Sequence, residues 1–224
     1  MTPPVPPMLL PLFPLPDTVF FPHTLLPLHI FEPRYRAMVA DCLAGEKHMA
    51  VVRLLPGWEQ DYYGRPPVHT VAGAGEVVEA ERLPDGRYNI LVKGFARVLI
   101  EEELPPAQSY RVARCRVLLD RLPVEKPEAL ATALEALKAA YLRLLREVGR
   151  ADQGLVGLVT EAATPAALVD RVASVVVGEA TRRQRILETL EVARRLELVA
   201  VEVSEALLAA HRGGRSASEG ARWN

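Results

Sequence analysis

The sequence predicts an α+β protein: an amino-terminal pseudo-barrel of short, mostly antiparallel strands with one helix, followed by a carboxy-terminal helical bundle. Three observations carry this. From Leu9 to Asp120, short apolar runs are punctuated by prolines and glycines, as in all-β modules. Leu83-Pro84-Asp85-Gly86 is a hairpin signal between two alternating runs. At Leu122-Pro123-Val124 the apolar period changes from two to steps of three and four, which is helical. The expected division is a Pro-rich arm over 1–8, a barrel over 9–122, a bundle over 123–212 and a flexible tail over 213–224.

The stretch Leu9 to Tyr35 organises the barrel. Ten of the 19 prolines lie in the first 33 residues. Proline cannot donate to a sheet ladder, so it selects edges and turns. The residues between are large and apolar, unlike a disordered tail. The expected elements are strands at Leu9–Phe13, Thr18–Phe21 and Leu25–Ile30, with a turn at Leu15-Pro16-Asp17. Pro33 suits the first turn of a helix reaching Leu43, with Gly45 as its stop. Met49–Leu54 is a strand and Leu55–Pro67 a loop. Val68–Arg82 and Tyr88–Lys93 flank the hairpin signal. Gly94 marks a bend or bulge before Phe95–Glu101, and Tyr110–Asp120 is the last strand.

In the second half, Leu130, Leu134, Leu137, Tyr141, Leu144, Leu145 and Val148 form one stripe of a helix over Pro127–Val148. Thr164-Pro165 caps and opens a helix through Val177. Thr181-Arg182-Arg183-Gln184 fits a capping box for a helix carrying Ile186, Leu187 and Leu190. A final helix carries Val192, Leu196, Val199, Val203 and Leu207 and stops before Gly213-Gly214.

Composition narrows the function classes. Half of the 224 residues are hydrophobic, a quarter are charged and the net charge is -1. That balance argues against a polycation that binds nucleic acid or anionic membrane. Cys42 and Cys115 fall on apolar faces and read as buried free thiols. No apolar run is long enough to span a bilayer and no signal peptide is visible, so the cytoplasm is the expected compartment. Arginine outnumbers lysine 23 to 4, which suggests a GC-rich bacterial genome.

Leu-Pro-Leu-Phe-Pro-Leu at Leu10–Leu15, Val-Phe-Phe-Pro at Val19–Pro22 and Pro-Leu-His-Ile-Phe-Glu-Pro-Arg-Tyr at Pro27–Tyr35 stand in order and at fixed spacing. Gly75-Glu76-Val77 through Gly94-Phe95-Ala96-Arg97, and Arg183 through Leu198, agree with the same pattern. On these motifs the chain resembles the amino-terminal, substrate-binding, PUA-like domain of the Lon protease family over Leu9 to Ala210. The resemblance implies recognition of exposed hydrophobic segments of unfolded or damaged polypeptides, as an adaptor or regulator in protein quality control. The chain departs from the family in lacking motifs of the ATPase and protease modules, so a stand-alone domain is the expectation. Its implied partners are unfolded or misfolded segments and a separate ATPase or protease, with a homo-oligomer as an open arrangement. Nucleic acid and membrane are not expected partners, and no cofactor is expected.

The residues support a non-catalytic expectation. A phosphate loop needs Gly-Lys-Ser or Gly-Lys-Thr, and the sequence has no Gly-Lys dipeptide. The family's protease pairs a serine with a downstream lysine. Here the last lysine is Lys138, only Ser109 precedes a lysine, and Gln108-Ser109-Tyr110 does not match that motif. His23, His29, His48, His69 and His211 show no metal-ligand spacing. Glu101-Glu102-Glu103 reads as a solvated charge run. Glu32-Pro33-Arg34-Tyr35 reads as a helix start, with Glu32 at the positive end and Arg34 able to pair with a carboxylate.

Trp58, Tyr62 and Tyr63, in a loop of glycines, prolines and acids, are the candidate peptide-binding surface. The competing reading folds them over the barrel mouth as core. Phe20 and Phe31 join the candidate surface, against a core reading they share with Phe21. Arg111, Arg114 and Arg116 form an alternating basic row. They are the candidate contacts of an alternative RNA- or small-ligand-binding function, against a plain salt-bridging role.

Overall fold

A computed structural model describes residues 6–124 and 127–220, with backbone alone for 213–220. The chain divides into two units between Leu119 and Asp120. The first contains β1 (Met8–Leu15), β2 (Leu25–Ile30), α1 (Pro33–Ala44), β3 (His48–Arg53), β4 (Val71–Arg82), β5 (Tyr88–Glu103) and β6 (Arg111–Leu118). The sheet order is β2-β5-β4-β3-β1-β6, and β5 also pairs with β6, so five strands close into a ring. Among the paired strands of the described residues, only β1 and β3 run parallel. The long β5 makes closure possible. Its start, Tyr88–Lys93, pairs with β2, and its end, Arg97–Glu103, pairs with β6. The expected α+β pseudo-barrel is therefore the fold.

The ring is filled by small and branched side chains. Leu10, Leu12, Ala50, Val52, Ala72, Ala74, Val98, Ala113 and Cys115, from all five ring strands, form one buried cluster. Alanines suit so narrow an interior. A second cluster sets Tyr35, Met38, Val39 and Cys42 of α1 against Phe13, Met49, Val51 and Val92. Burial lifts the thiol pKa values of Cys42 to about 11 and Cys115 to about 12, and both cysteines are free.

Thr18–Phe21 is not a strand, contrary to expectation. Val19, Phe20 and Phe21 are buried as irregular backbone lying across β4 and β5. Glycines admit it: a Cβ on Gly73 would lie 2.0 Å from the Phe20 carbonyl oxygen, and one on Gly94 2.3 Å from that of Phe21. Backbone bonds from His23 N to Gly94 O and from Gly94 N to Thr24 O, both 2.9 Å, replace a ladder. The expected irregularity at Gly94 is present as a register shift between Ala74/Gly75 and Ala96/Gly94. Met8, placed in the arm by the sequence, is the first residue of β1 and pairs with Cys115. Residues 1–5 of that arm lie outside the described residues.

The second unit holds α2 (Pro127–Glu147), α3 (Gln153–Thr160), α4 (Pro165–Val176), α5 (Ala180–Glu188) and α6 (Val192–Gly220). The α6 helix packs on α2 and α4. Thr164 caps α4 as expected, its hydroxyl accepting from Ala167 N at 3.1 Å. The short α3, capped by Asp152, was not anticipated; Gly154 and Gly157 interrupt its apolar pattern. The cap of α5 lies two residues before the expected Thr181, because Glu179 accepts from Thr181 N at 2.9 Å. The α6 helix continues past Gly213-Gly214: glycine costs a helix about 1 kcal/mol, which does not compel a stop. Of the expected tail, 221–224 lie outside the described residues.

The division falls before Leu122 because Asp120 and Arg121 are tied to the helices. Fully buried Arg195 donates to Asp120 Oδ1 at 2.6 Å and to Thr189 O at 3.1 Å, and it pairs with buried Asp170 at 3.4 Å. Arg121 pairs with Glu191 at 2.8 Å. Among the described residues no helix is long and apolar enough to cross a membrane.

Candidate functional site

The loop between β3 and β4 is closed at its base. Leu55 N bonds Pro67 O at 2.9 Å, and Leu54 bridges Val68. Within it, Trp58–Asp61 makes one 3₁₀ turn after Gly57. The aromatic residues then stack edge to face: Trp58 on Tyr62 at 5.5 Å and Tyr62 on Tyr63 at 5.1 Å between ring centroids. Trp58 and Tyr62 are half-buried, while Tyr63 is 86% exposed.

The start of α1 holds this loop in place. Glu32 accepts from Arg34 Nε at 3.0 Å and from the Tyr62 hydroxyl at 2.6 Å. Arg34 Nη2 donates to Tyr62 O at 3.3 Å. Its guanidinium carbon lies 4.6, 5.3 and 6.0 Å from the ring centroids of Tyr35, Tyr62 and Tyr63. Cations over aromatic faces are attracted by the ring quadrupole. The bond donated to Glu32, followed by burial, raises the Tyr62 pKa, so the phenol stays a donor. Burial pushes Tyr35 up to about 12. The Glu32-Pro33-Arg34-Tyr35 helix start thus also braces the aromatic loop.

A second clamp comes from β5 and β6. Arg111 donates to Glu103 through Nε at 2.9 Å and through Nη2, and to Pro66 O at 2.8 Å. Arg65 donates to the same carboxylate at 2.9 Å and to Leu104 O at 3.2 Å. Burial alone would raise the pKa of Glu103; the bonds from Arg111 and Arg65 outweigh it and hold the group below its ordinary value. Between the clamps lies a cavity of about 210 Å³, walled by Arg34, Tyr35, Tyr62, Tyr63, Arg65, Tyr110 and Arg111 among others. Tyr110 donates to Asp41 at 2.6 Å, and burial followed by that bond raises its pKa.

The fold thus unites residues that the sequence assigned to different functions. Tyr62 and Tyr63 of the peptide set share one wall with Arg111 of the basic row. Trp58 packs on Tyr62 and is not part of the cavity lining. Phe20 is corrected: it is 2% exposed and set among the barrel residues over Gly75, so it offers no surface. Phe31 is 60% exposed but stacks on His29 at 6.4 Å, apart from the cavity. The basic row is met by the acidic run on β5. Arg116 pairs with Glu101 at 2.7 Å, Arg111 with Glu103, and Arg114 stands opposite Glu102. Sequence reasoning missed Arg34, Arg65 and Tyr110 as parts of one wall. The clustering of Gly64-Arg65-Pro66-Pro67 and Ser109-Tyr110-Arg111 beside prolines was the available signal. Among the described residues no group of three or more His, Cys, Asp or Glu could hold a metal ion.

Residues 9–205 match the family model of the ATP-dependent protease La (LON) substrate-binding domain. The chain is 32% identical over 195 residues to a Lon protease of Anaeromyxobacter dehalogenans, covering 86% of this chain and 22% of that protein. It is 29% identical to Lon protease 2 of Myxococcus xanthus, again over 86% of this chain and 23% of the relative. It therefore spans under a quarter of the length of these curated relatives. The fold matches the N-terminal domain of a Mycobacterium avium complex Lon protease with a TM-score of 0.69 at 17% identity, covering 88% of this chain and 98% of that one. A Lon N-terminal domain protein from Xanthomonas campestris matches with a TM-score of 0.63 at 21% identity, over 87% and 98%.

Proposed function

The chain belongs to the ATP-dependent protease La (LON) substrate-binding domain family, and from that premise we propose that it holds exposed hydrophobic segments of unfolded or damaged polypeptides. Membership supports a substrate-binding module in proteolysis. The finer reading rests on Tyr63, 86% exposed at the rim of a cavity whose walls Arg34 and Arg111 brace. A large ring fixed at a rim adds contact area with little further loss of rotamer freedom. The driving force is apolar burial, and affinity is modest because a flexible segment loses entropy on binding. Delivery of the held segment to a separate ATPase or protease is the role that follows.

Fluorescence anisotropy with a labelled, permanently unfolded polypeptide and its native form tests this. The unfolded form binds and the native form does not. Tyr63→Ala weakens binding about fivefold or more with an unchanged melting temperature, as truncating an anchor residue does. Equal binding of both forms sinks the reading. The alternative, an RNA- or small-ligand-binding barrel, has less behind it, because Glu101 and Glu103 already engage Arg116 and Arg111. A steep salt dependence of RNA binding would reinstate it.

A further inference from the structure

Resting on that reading, we propose that the cavity beside Tyr62 and Tyr63 takes the carboxy-terminal residue of the client chain, its carboxylate against Arg65 and Arg34 and its side chain against the tyrosines. The first support is charge. The lining holds Arg34, Arg65 and Arg111, and none of the described residues lining it is acidic. The carboxylates that serve these arginines are not part of that lining. Glu32 takes Arg34, while Glu103 takes both Arg65 and Arg111, so two cations share one anion. Of the two acids in the loop, Glu59 is not part of the lining, and Asp61 accepts from Arg65 N at 3.3 Å. Of the two arginines on Glu103, the Arg65 side chain is 38% exposed and that of Arg111 only 10%. Arg65 is therefore the guanidinium placed to accept a second carboxylate, for which its planar fork is suited.

The second support is size and continuation. At about 210 Å³ the cavity is smaller than the roughly 300–1,000 Å³ of a drug-sized ligand's cleft, so it suits a single residue. A residue inside a chain needs two exits from such a space; a terminal residue needs one. A neighbouring cavity of about 520 Å³ shares Gln108 and Tyr110 with the first and adds Leu9, Leu10, Pro11 and Val112. Asp41, Glu46, Lys47 and His48 also line it, so it offers a mixed apolar and polar surface, with Leu9 60% exposed, for the residues that precede the terminus.

The test uses the full chain and one labelled unstructured peptide of neutral sequence ending in leucine, as free acid and as amide, read by anisotropy. The free acid binds about tenfold more tightly than the amide, and Arg65→Gln removes most of that difference. Circular dichroism of Arg65→Gln controls for folding, and Arg65→Lys, which keeps the charge but not the fork, retains part of the preference. Equal binding of acid and amide, with the unfolded polypeptide still bound, overturns this inference and leaves the proposed function standing. An amidated peptide with an internal aspartate that binds as well as the free acid also overturns it. Failure of every peptide and of the unfolded polypeptide to bind overturns both.

Discussion

Tyr62 and Glu103 each do two things at once, structural and electrostatic. Tyr62 carries an aromatic face to the rim and spends its hydroxyl on Glu32. Tyr62→Phe keeps the ring and removes a bond to a charged acceptor, so it lowers the stability of the barrel unit by about 1.5 kcal/mol in urea melts. Glu103 has its folded pKa depressed below its unfolded value. Its stabilising contribution is therefore present above the ordinary glutamate range and lost as pH falls through the lower, folded value. Glu103→Gln flattens that acid limb in a comparison of melting temperature against pH. An unchanged limb would mean that Arg65 and Arg111 do not hold the carboxylate in solution.

Elements here owe their form to close approaches as much as to propensity. Thr18–Phe21 has strand-like residues but lies as irregular backbone because Gly73 and Gly94 leave room for its carbonyls. Gly73→Ala must move that backbone, and we expect a loss of about 1–3 kcal/mol by chemical denaturation, the usual cost of overpacking. The helices respond to their caps and buried charges. Thr164→Ala removes the bond to Ala167 N and costs about 1 kcal/mol. Asp170→Ala leaves Arg195 buried with Asp120 as its carboxylate partner among the described residues. It costs about 3 kcal/mol, the lower end for breaking a buried pair, read as a lower melting temperature of the helical unit.

At the scale of the whole molecule, Arg111 and Arg116 of the basic row are paired with Glu103 and Glu101, and under the proposed function the aromatic rim makes the contact. Apolar burial is not screened by ions, whereas contacts between exposed charges are. Raising salt is therefore expected to leave affinity for an unfolded, uncharged polypeptide within about twofold. A preference for free acid over amide should shrink over the same series. Anisotropy titrations at several ionic strengths read both quantities.

The amino-acid sequence by itself determined the class of fold, the change from strands to helices, the Thr164 cap and the ordered motifs from Leu10 to Tyr35. These are local: periodicity, capping and proline placement are legible within one element's length. It also picked out Tyr62, Tyr63 and Arg111 by residue type, without placing them together. Tertiary structure alone decided that Thr18–Phe21 crosses the sheet, that Phe20 turns inward while Phe31 stays outside, and that Arg34, Arg65 and Arg111 converge on one wall with the tyrosines. Those outcomes depend on contacts between residues dozens of positions apart, such as Tyr62 with Glu32 and Arg111 with Pro66. Barrel closure, which no local pattern encodes, brings such partners within hydrogen-bonding distance.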